Sequence, residues 1–506
     1  MNDVSPATYA DWKAPAGDGE MLIWPEPADL LRQSRENHGA LSAASDVMIQ
    51  NAPLSDLRRA QRCWIGHTDD DALLFATGHQ TELIHPGVWV KDALIHSAAE
   101  ATGGQAYHFA VDTDSPKHLQ LKWPGGSQPL TDDPNAITAE WSGLLGPPTP
   151  EHLAQLTKSF DSAAGAWPFK PLAPEFLASM RRLSLESQSL DAAMVNAMHA
   201  IDWSLGLRHH AMVVSPIFQS LPYLSLVYHV LSRSRDFASD YNTALYEYRK
   251  EAGITNPGRP MPDLQMSATT CEVPFWLDNL STGGRERAQV ACEIDGCVMR
   301  SATGERFVFK AHLPADEAAH ELLRWLRLHN LRLAPRALML TTFIRLFIAD
   351  QFVHGIGGGR YDQVTDKLIA RHFKLAAPKF SVTTATLFFP TAVNESRVCL
   401  PCIAMEGHQL RHRVLGEKKM AMVAAIEGLP RKSMERAQQF QAMQRELALM
   451  ARSEPIVAWE NKFKQAKERR EMQERLFDRE LFYAVQPAGR LHELLERCVT
   501  AMSDLR

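Results

Sequence analysis

The sequence predicts an α/β protein built on a mainly parallel sheet, and three observations support that fold class. Apolar runs with the length of buried strands alternate with helical patterns, as in the segment from "ALLFA" (72–76) to "AYHFAV" (106–111). Runs with a period of two residues between 271 and 312 predict a small antiparallel β subdomain. Charge-rich helical sequence predominates after residue 411. The strand, helix and strand in the first segment imply a parallel pair with a right-handed crossover.

Length and composition restrict the class of protein. The 506 residues are too many for one ordinary core, and 45% hydrophobic with 22% charged residues is typical of a globular protein. No apolar run approaches the ~20 residues that cross a bilayer, and residues 1–20 lack the regions of a signal peptide. A net charge of -5 argues against broad electrostatic binding of nucleic acid. We therefore expect a cytoplasmic protein with a small-molecule substrate and no nucleic-acid or membrane partner.

The patterns predict six regions in chain order. They are an N-terminal helical extension (1–70), a first part of the core (71–125), a linker and mainly helical insertion with one core strand near 212–218 (126–262), a small antiparallel β subdomain (263–312), a second part of the core (313–410) and a C-terminal helical arm or bundle (411–506). In the second part of the core we expect strands at "RALML" (336–340) and "TTATLFF" (383–389), with a helix over 341–355. The C-terminal helices are too polar to form their own core, so we expect them to pack on the core or on a second copy of the chain.

The cysteines and histidines give weak signals. Seven scattered cysteines suit reduced thiols better than a disulfide framework. Cys399 and Cys402 have the spacing of a metal or redox pair, but no second pair follows, so we interpret them as structural thiols. The histidines show no paired ligand spacing, and we expect no dedicated metal site.

The first candidate site lies in "TGHQTELIHPGVWVK" (77–91), directly after the first strand. In open α/β sheets, ligands bind beyond the carboxyl ends of the strands, where loops present backbone N–H groups. Gly78 permits close approach of a ligand, Thr77, His79 and Gln80 can contact it, and Lys91 can reach back to an anion. The alternative is that Gly78 only makes the turn and His79 is a surface polar residue.

Asp112 and Asp114 follow the next strand. Alternate residues of an extended segment point to the same side, so both carboxylates can face one hydroxyl or one hydrated magnesium ion. The alternative is an Asx-turn that ends the strand.

The second candidate loop, residues 355–359, contains four glycines. Ordering each glycine costs backbone entropy, which suggests that a ligand approaches this backbone. The loop is neither a Walker motif nor GxGxxG, and the alternative is a tight joint between helices. The residues that we expect to contact a ligand here are His354, Gly355, Gly357, Gly358, Gly359, Arg360, Tyr361 and Asp362, with Arg345 on the preceding helix. Both candidate loops follow apolar runs and open helices, so we expect them side by side at one sheet edge.

At these positions the chain resembles the bacillithiol biosynthesis cysteine-adding enzymes, a family of cysteine ligases. That family has a Thr-Gly-Gln-Gln loop, a Gly-Pro segment and a helix with Tyr-Lys, where this chain has "TGHQ", "HPG" and "WVK". "VDTD" and "GIGGGRYDQ" partly match the acidic strand end and the later glycine-rich loop of the family. The resemblance covers 70–125 and 330–390, and His79 and Thr113 replace the family's glutamine and histidine. It implies a Rossmann-like core, inserted connecting segments and a helical coiled-coil domain.

The resemblance also implies an activity, the joining of the carboxyl of cysteine to the amine of a glucosaminyl acceptor. Because a free carboxylate is a poor electrophile, ATP and Mg²⁺ are the implied cofactors. The residues with implied roles are Lys91 and Arg345 on phosphate charge, Asp112 and Asp114 on magnesium, and His79 or His354 as general base.

Two other functions remain open. A nucleotide-sugar-dependent glycosyltransferase would use Asp112 and Asp114 to hold a metal and a diphosphate. A non-catalytic ligand-binding protein or scaffold would use the C-terminal helices as a partner surface.

Overall fold

The computed structural model describes residues 12–293, 296–310, 312–394 and 396–503. Its strands are β1 (Met21–Trp24), β2 (Met48–Ile49), β3 (Ala52–Pro53), β4 (Leu74–Gln80), β5 (Gln105–Val111), β6 (Gln120–Trp123), β7 (Gly126–Pro129), β8 (His210–Val213), β9 (Thr270–Asn279), β10 (Arg285–Glu293), β11 (Gly296–Arg300), β12 (Arg306–Val308), β13 (Leu331–Pro335), β14 (Gln351–His354) and β15 (Ser381–Ala385). Its helices are α1 (Pro27–Ser42), α2 (Leu54–Trp64), α3 (Pro86–Thr102), α4 (Pro150–Ala164), α5 (Ala173–Leu183), α6 (Leu190–Ser204), α7 (Leu221–Ser232), α8 (Ser234–Glu251), α9 (Ala315–Leu328), α10 (Ala337–Phe347), α11 (Ile356–Leu368), α12 (Leu400–Glu427), α13 (Met434–Met450), α14 (Glu454–Leu476) and α15 (Ala488–Ser503).

A six-stranded sheet in the order β1-β15-β14-β4-β5-β8 forms the centre of the first unit of the chain. All neighbouring strands in it are parallel except β1, which pairs antiparallel with β15 at one edge. The chain adds β5 and β8 on one side of β4, and later adds β14 and β15 on the other. The strand order therefore reverses between β4 and β14, and the prediction of a mixed α/β fold with a mainly parallel sheet is confirmed.

The expected antiparallel sheet is also present, in the order β12-β11-β10-β9-β13. It extends beyond the predicted limit of residue 312, because β13 pairs with β9 from the far side of α9. Strand β9 has two faces, since alternate residues point in opposite directions. Val273 and Phe275 enter the same buried cluster as Leu74 of β4 and Phe109 of β5, so both sheets share one hydrophobic core.

The unit β4-α3-β5 agrees closely with its prediction. Helix α3 begins after His85, whose side chain accepts a hydrogen bond from Gly87 N, and it ends at Gly103 with a φ of 70°. Glycine is favoured there because other residues rarely adopt positive φ.

Other elements differ from their predictions. The region 1–70 is not only helical, since β1 belongs to the main sheet. The predicted strand "RALML" is the start of α10, and the last residues of the predicted helix form the buried strand β14. Short apolar runs suit a buried strand and a buried helix equally well, so periodicity alone could not separate them. The strand expected near 212–218 is β8, and Ser215–Gln219 is a 3-10 helix containing a proline.

The chain divides into two compact units at places that the sequence did not indicate. The second unit contains Trp123–Gly126 and Phe388–Asp478, and within it α12 contacts both α13 and α14. The residues from Arg479 onward belong to the first unit, where α15 packs on α3, so the predicted arm 411–506 is split. Pairing of the C-terminal helices with a second copy stays a prediction. Across the described ranges, no helix combines the length and the apolarity needed to span a bilayer.

The expectation of reduced thiols at Cys399 and Cys402 is wrong, because the two form a disulfide. The first turn of α12 brings their Cα atoms to 5.3 Å, which is within the usual range for such a bond.

Candidate functional site

The two candidate segments lie next to each other, as predicted, but the expectation of a loop at residues 77–80 is wrong, because they are the last residues of β4. Strands β4 and β14 are adjacent and parallel, with Thr77 opposite Val353, and Thr77 Oγ1 donates to Val353 O at 2.8 Å. The strands end at Gln80 and His354, so both loops leave the same sheet edge at the place where the strand order reverses. This is the position at which open α/β sheets bind ligands.

Lys91 contacts the segment 77–80, but its side chain is buried and does not face solvent. The side chain is buried, and Nζ donates to Gly78 O at 2.8 Å. Burial lowers the pKa of Lys91 to about 8, although Asp92 and Glu82 oppose the shift. The charged form of Lys91 therefore still predominates at neutral pH, and its hydrogen bond to Gly78 O fixes the end of β4.

His79 is neutral at physiological pH. Burial and the positive charge of Lys91 lower the pKa of His79 well below its usual value. Its Nδ1 lies 3.1 Å from Gln80 O, which can only accept, so Nδ1 carries the proton and Nε2 keeps its lone pair. A quarter of the side chain is exposed. The unprotonated Nε2 can accept a proton from a group that enters from solvent, and the lowered pKa makes it a weak base.

The glycines around this edge have packing roles. A Cβ atom on Gly78 would lie 3.0 Å from Phe109 O of the neighbouring strand, and one on Gly87 would lie 2.6 Å from Ala385 O. Gly78 is therefore required for close packing between β4 and β5, whereas we expected it to allow the approach of a ligand. Arg479 also donates to Ala385 O at 2.9 Å, so a residue from the C-terminal segment completes this edge. Sequence reasoning missed Arg479, since nothing local connects it with residues 77–91.

The expectation that Asp112 and Asp114 face one ligand is wrong. Strand β5 ends at Val111, so the alternation of an extended chain no longer applies to them. Asp112 accepts hydrogen bonds from the backbone and the side chain of Ser215, next to β8. Asp114 instead accepts at 2.6 Å from Nε2 of Gln80, a residue of β4 on the other side of β5.

A further buried carboxyl group lies close to Asp112. Burial raises the pKa of Asp191 to about 7, and the charge of Asp112 adds to the shift. Ser142 Oγ donates to Asp191 at 2.7 Å. Sequence reasoning missed Asp191, which lies within α6. Among the residues described, no three His, Cys, Asp or Glu side chains are arranged to hold a metal ion.

The predicted glycine loop is largely helical, because α11 begins at Ile356. A Cβ atom on Gly359 would lie 2.5 Å from Val382 Cγ2, and one on Gly358 would lie 2.9 Å from His354 Nδ1. Close packing thus accounts for these two positions. The glycines whose Cβ position is open are Gly355 and Gly357.

Arg345 and His354 are committed to a buried network. Arg345 is 1% exposed and donates to Asp362 and Asp366, each at 2.6 Å. His354 Nε2 lies 2.8 Å from Asp362 Oδ2. Burial alone would raise the pKa of Asp362, but Arg345 and His354 outweigh it and hold that pKa below its usual value. Neither Arg345 nor His354 is left facing a ligand.

The other two residues predicted around the glycine loop differ in their availability to a ligand. Arg360 donates to Trp12 O, so its guanidinium is used within the fold. Tyr361 is half exposed on α11.

The polar face of the second sheet supplies positive charge that the sequence prediction did not include. We call it the arginine face, and it consists of Arg285, Arg287, Arg332 and Arg336. Within the part of the chain that the structure describes, the ion pairs of these four side chains are with two carboxylates, the buried Glu272 and Asp278 of β9. The arginines outnumber these two close partners, Arg332 also acts on the charge of Asp112, and Arg287 is 46% exposed.

The arginine face reaches the end of β5. Arg285 Nη1 donates to Thr113 O at 2.8 Å, between the two aspartates discussed above. Its guanidinium also lies 4.9 Å from the ring centre of Trp141 and 5.4 Å from that of Trp276. A positively charged surface with aromatic neighbours is suited to anions, because guanidinium groups bind carboxylate and phosphate through paired hydrogen bonds.

No family model matches the sequence, and the comparison with curated proteins found no match.

Proposed function

We propose that this protein is a carbon–nitrogen ligase-like enzyme that binds a carboxylate-bearing small molecule on a Rossmann-like core. The substrates would be an amino acid, which is cysteine in the resembled family, and an amino-sugar acceptor. One observation carries the proposal: a neutral, partly exposed His79 lies at the sheet edge where the strand order reverses, next to Lys91.

His79 is the residue that would act on the attacking amine. An ammonium is not a nucleophile, so the acceptor amine must lose a proton before it attacks the carbonyl carbon. That carbon must carry a leaving group, because a free carboxylate is a poor electrophile, and the amide forms as this group departs. The free Nε2 can take that proton, since Nδ1 is already directed at Gln80 O. Lys91 would position this end of β4 through its hydrogen bond to Gly78 O.

The arginine face would bind the carboxylate of a substrate. It adjoins the end of β5 through Arg285, and among the described residues the ion-pair partner of its exposed member Arg287 is Glu272, at the long distance of 3.6 Å. An incoming carboxylate can therefore compete for this guanidinium without breaking a close ion pair.

The residues assigned to ATP and Mg²⁺ do not fit those roles. Arg345 forms ion pairs with Asp362 and Asp366, and both carboxylate oxygens of Asp112 accept hydrogen bonds from Ser215. Lys91 Nζ is bound to Gly78 O. We therefore derive no step through ATP or Mg²⁺. The same occupation of Asp112 removes the main support for a glycosyltransferase that would need both aspartates on a metal.

A binding screen and a product assay test the proposal together. The full-length protein is mixed with cysteine and a glucosaminyl acceptor, with and without ATP and Mg²⁺, and its melting temperature is recorded. A ligand at 100 times its dissociation constant stabilises the fold by about 2.7 kcal/mol. Mass spectrometry then searches for an amide with the summed mass of both substrates less one water.

The His79→Gln variant should keep the thermal shift and lose product formation by about a hundredfold or more, as expected for a general base. His320→Gln, which changes an exposed histidine on α9, is the matched control and should behave as wild type. Binding without product in every mixture would favour a ligand-binding protein. Stabilisation by a nucleotide sugar, tested in a parallel mixture, with none by the other substrates would favour the glycosyltransferase.

A further inference from the structure

The second unit contains a cysteine pair that the proposed function does not use. Cys399 and Cys402 form a disulfide in the segment "CLPC" at the start of α12, a helix of 28 residues. Cys399 caps the helix, since its sulfur accepts a hydrogen bond from Cys402 N at 3.3 Å. Both residues are exposed, so thiols in solution can reach the bond.

The chain before the disulfide is held in place by other contacts. Val398 N donates to Gln473 Oε1 at 3.1 Å, and Gln473 Nε2 donates to Ser396 O at 3.0 Å. Gln473 is a buried residue of α14. The start of α12 therefore has an anchor that does not depend on the sulfur–sulfur bond, and the two cysteines stay close when that bond opens.

A purely structural role explains this disulfide poorly. Its loop has a sequence separation of three, and short loops restrict the unfolded chain least, so the bond adds little stability. The position instead favours exchange, because N–H groups at a helix start stabilise a thiolate. Here the N–H of Cys402 already points at the sulfur of Cys399.

We propose that Cys399 and Cys402 are a redox-active pair that exchanges electrons with low-molecular-weight thiols. A thiolate from solution attacks Sγ of Cys399, the bond to Cys402 breaks, and Cys402 leaves as a thiolate that takes up a proton. A second thiolate attacks the small-molecule sulfur of the mixed disulfide and releases Cys399 as the stabilised thiolate. Two thiols are oxidised to one disulfide, and the protein disulfide is reduced to two thiols.

Equilibration of the full-length protein in glutathione buffers tests this chemistry. At each ratio of reduced to oxidised glutathione, free thiols are alkylated and the peptide containing both cysteines is quantified by mass spectrometry. We expect a reversible change between disulfide and dithiol with unchanged circular dichroism. The inference is overturned if the disulfide persists until the protein is denatured, or if both residues are free thiols at every ratio.

The second measurement compares two cysteines in one molecule. With oxidised glutathione, the reduced wild type should form the Cys399–Cys402 disulfide, and the Cys402→Ser variant should form a mixed disulfide at Cys399, each at least tenfold faster than the exposed Cys63 forms its mixed disulfide. The Cys399→Ser variant is the control, and Cys402 in it should react at a rate similar to Cys63. Equal rates for Cys399 and Cys63 would overturn the inference, and the wild-type measurement decides if the variant does not fold.

Discussion

At the scale of single residues, burial decides the charge of the groups at the sheet edge. His79 is uncharged because it is largely removed from water and lies near an ammonium. Burial lowers the pKa of Lys91 to about 8 against the opposing effect of two carboxylates, so Lys91 keeps its proton at neutral pH. One group is thereby prepared to accept a proton, and the other supplies a fixed positive charge.

Lys91 should make stability depend on pH in the alkaline range. Its pKa is about 8 in the fold and about 10.5 in an unfolded chain, so the unfolded state binds more protons between these values. Stability should therefore rise with pH from 8 to 10.5, by an amount on the order of 1 to 3 kcal/mol for this group. Urea unfolding should show that Lys91→Met reduces the rise, while the exposed-residue control Lys158→Met retains it. A rise of the same size in both variants would contradict the assignment.

At the scale of elements, the four glycines at the start of α11 differ in the space around them. Two of the four leave no room for a side chain, whereas the other two are open. The sequence suggested a single function for all four, because composition alone does not distinguish a glycine in contact with a strand from one at a helix surface.

Alanine substitutions at two neighbouring positions test this difference. Gly359→Ala should destabilise the protein by about 1 to 3 kcal/mol, because its Cβ would collide with Val382 of β15. Gly357→Ala is the matched control, and it should leave stability unchanged or raise it by up to about 1 kcal/mol, since alanine is the better helix former. Chemical denaturation of both variants gives the comparison. Similar losses at both positions would show that α11 does not pack on β15 as described.

Helix α15 should stabilise the first unit and leave the second unchanged. Leu494 of α15 is buried within the first unit. Leu494→Ala should lower the free energy of unfolding of that unit by about 2 to 5 kcal/mol, the usual range for such a truncation. Hydrogen exchange should then increase in α3 and α15 and stay unchanged in α12 to α14. An equal increase in both units would mean that the division at Arg479 is wrong.

At the scale of the whole molecule, the sequence predicted features that depend on local patterns better than features that depend on contacts between distant segments. The unit β4-α3-β5 follows from apolar runs and a terminal glycine, and the adjacency of the two loops follows from the rule for parallel sheet edges. The arginine face could not be predicted, since it combines β10 and β13 with the end of β5 from far along the chain. The hydrogen-bond partner of Asp112 could not be predicted either, because Ser215 follows β8 and is distant from Asp112 in the sequence.

The central claim is that the arginine face binds the carboxylate of a substrate at the edge of the main sheet. Calorimetric titration of cysteine and of the glucosaminyl acceptor into the wild type, Arg287→Ala and Arg59→Ala tests it most directly. Arg287→Ala should weaken binding of the carboxylate-bearing ligand by about tenfold or more, because a charge-assisted hydrogen bond contributes roughly 1.5 to 3 kcal/mol. Arg59, an exposed arginine paired with Asp56 and Asp70, should be replaceable without effect. Unchanged affinity in Arg287→Ala, or no binding by the wild type, would contradict the claim.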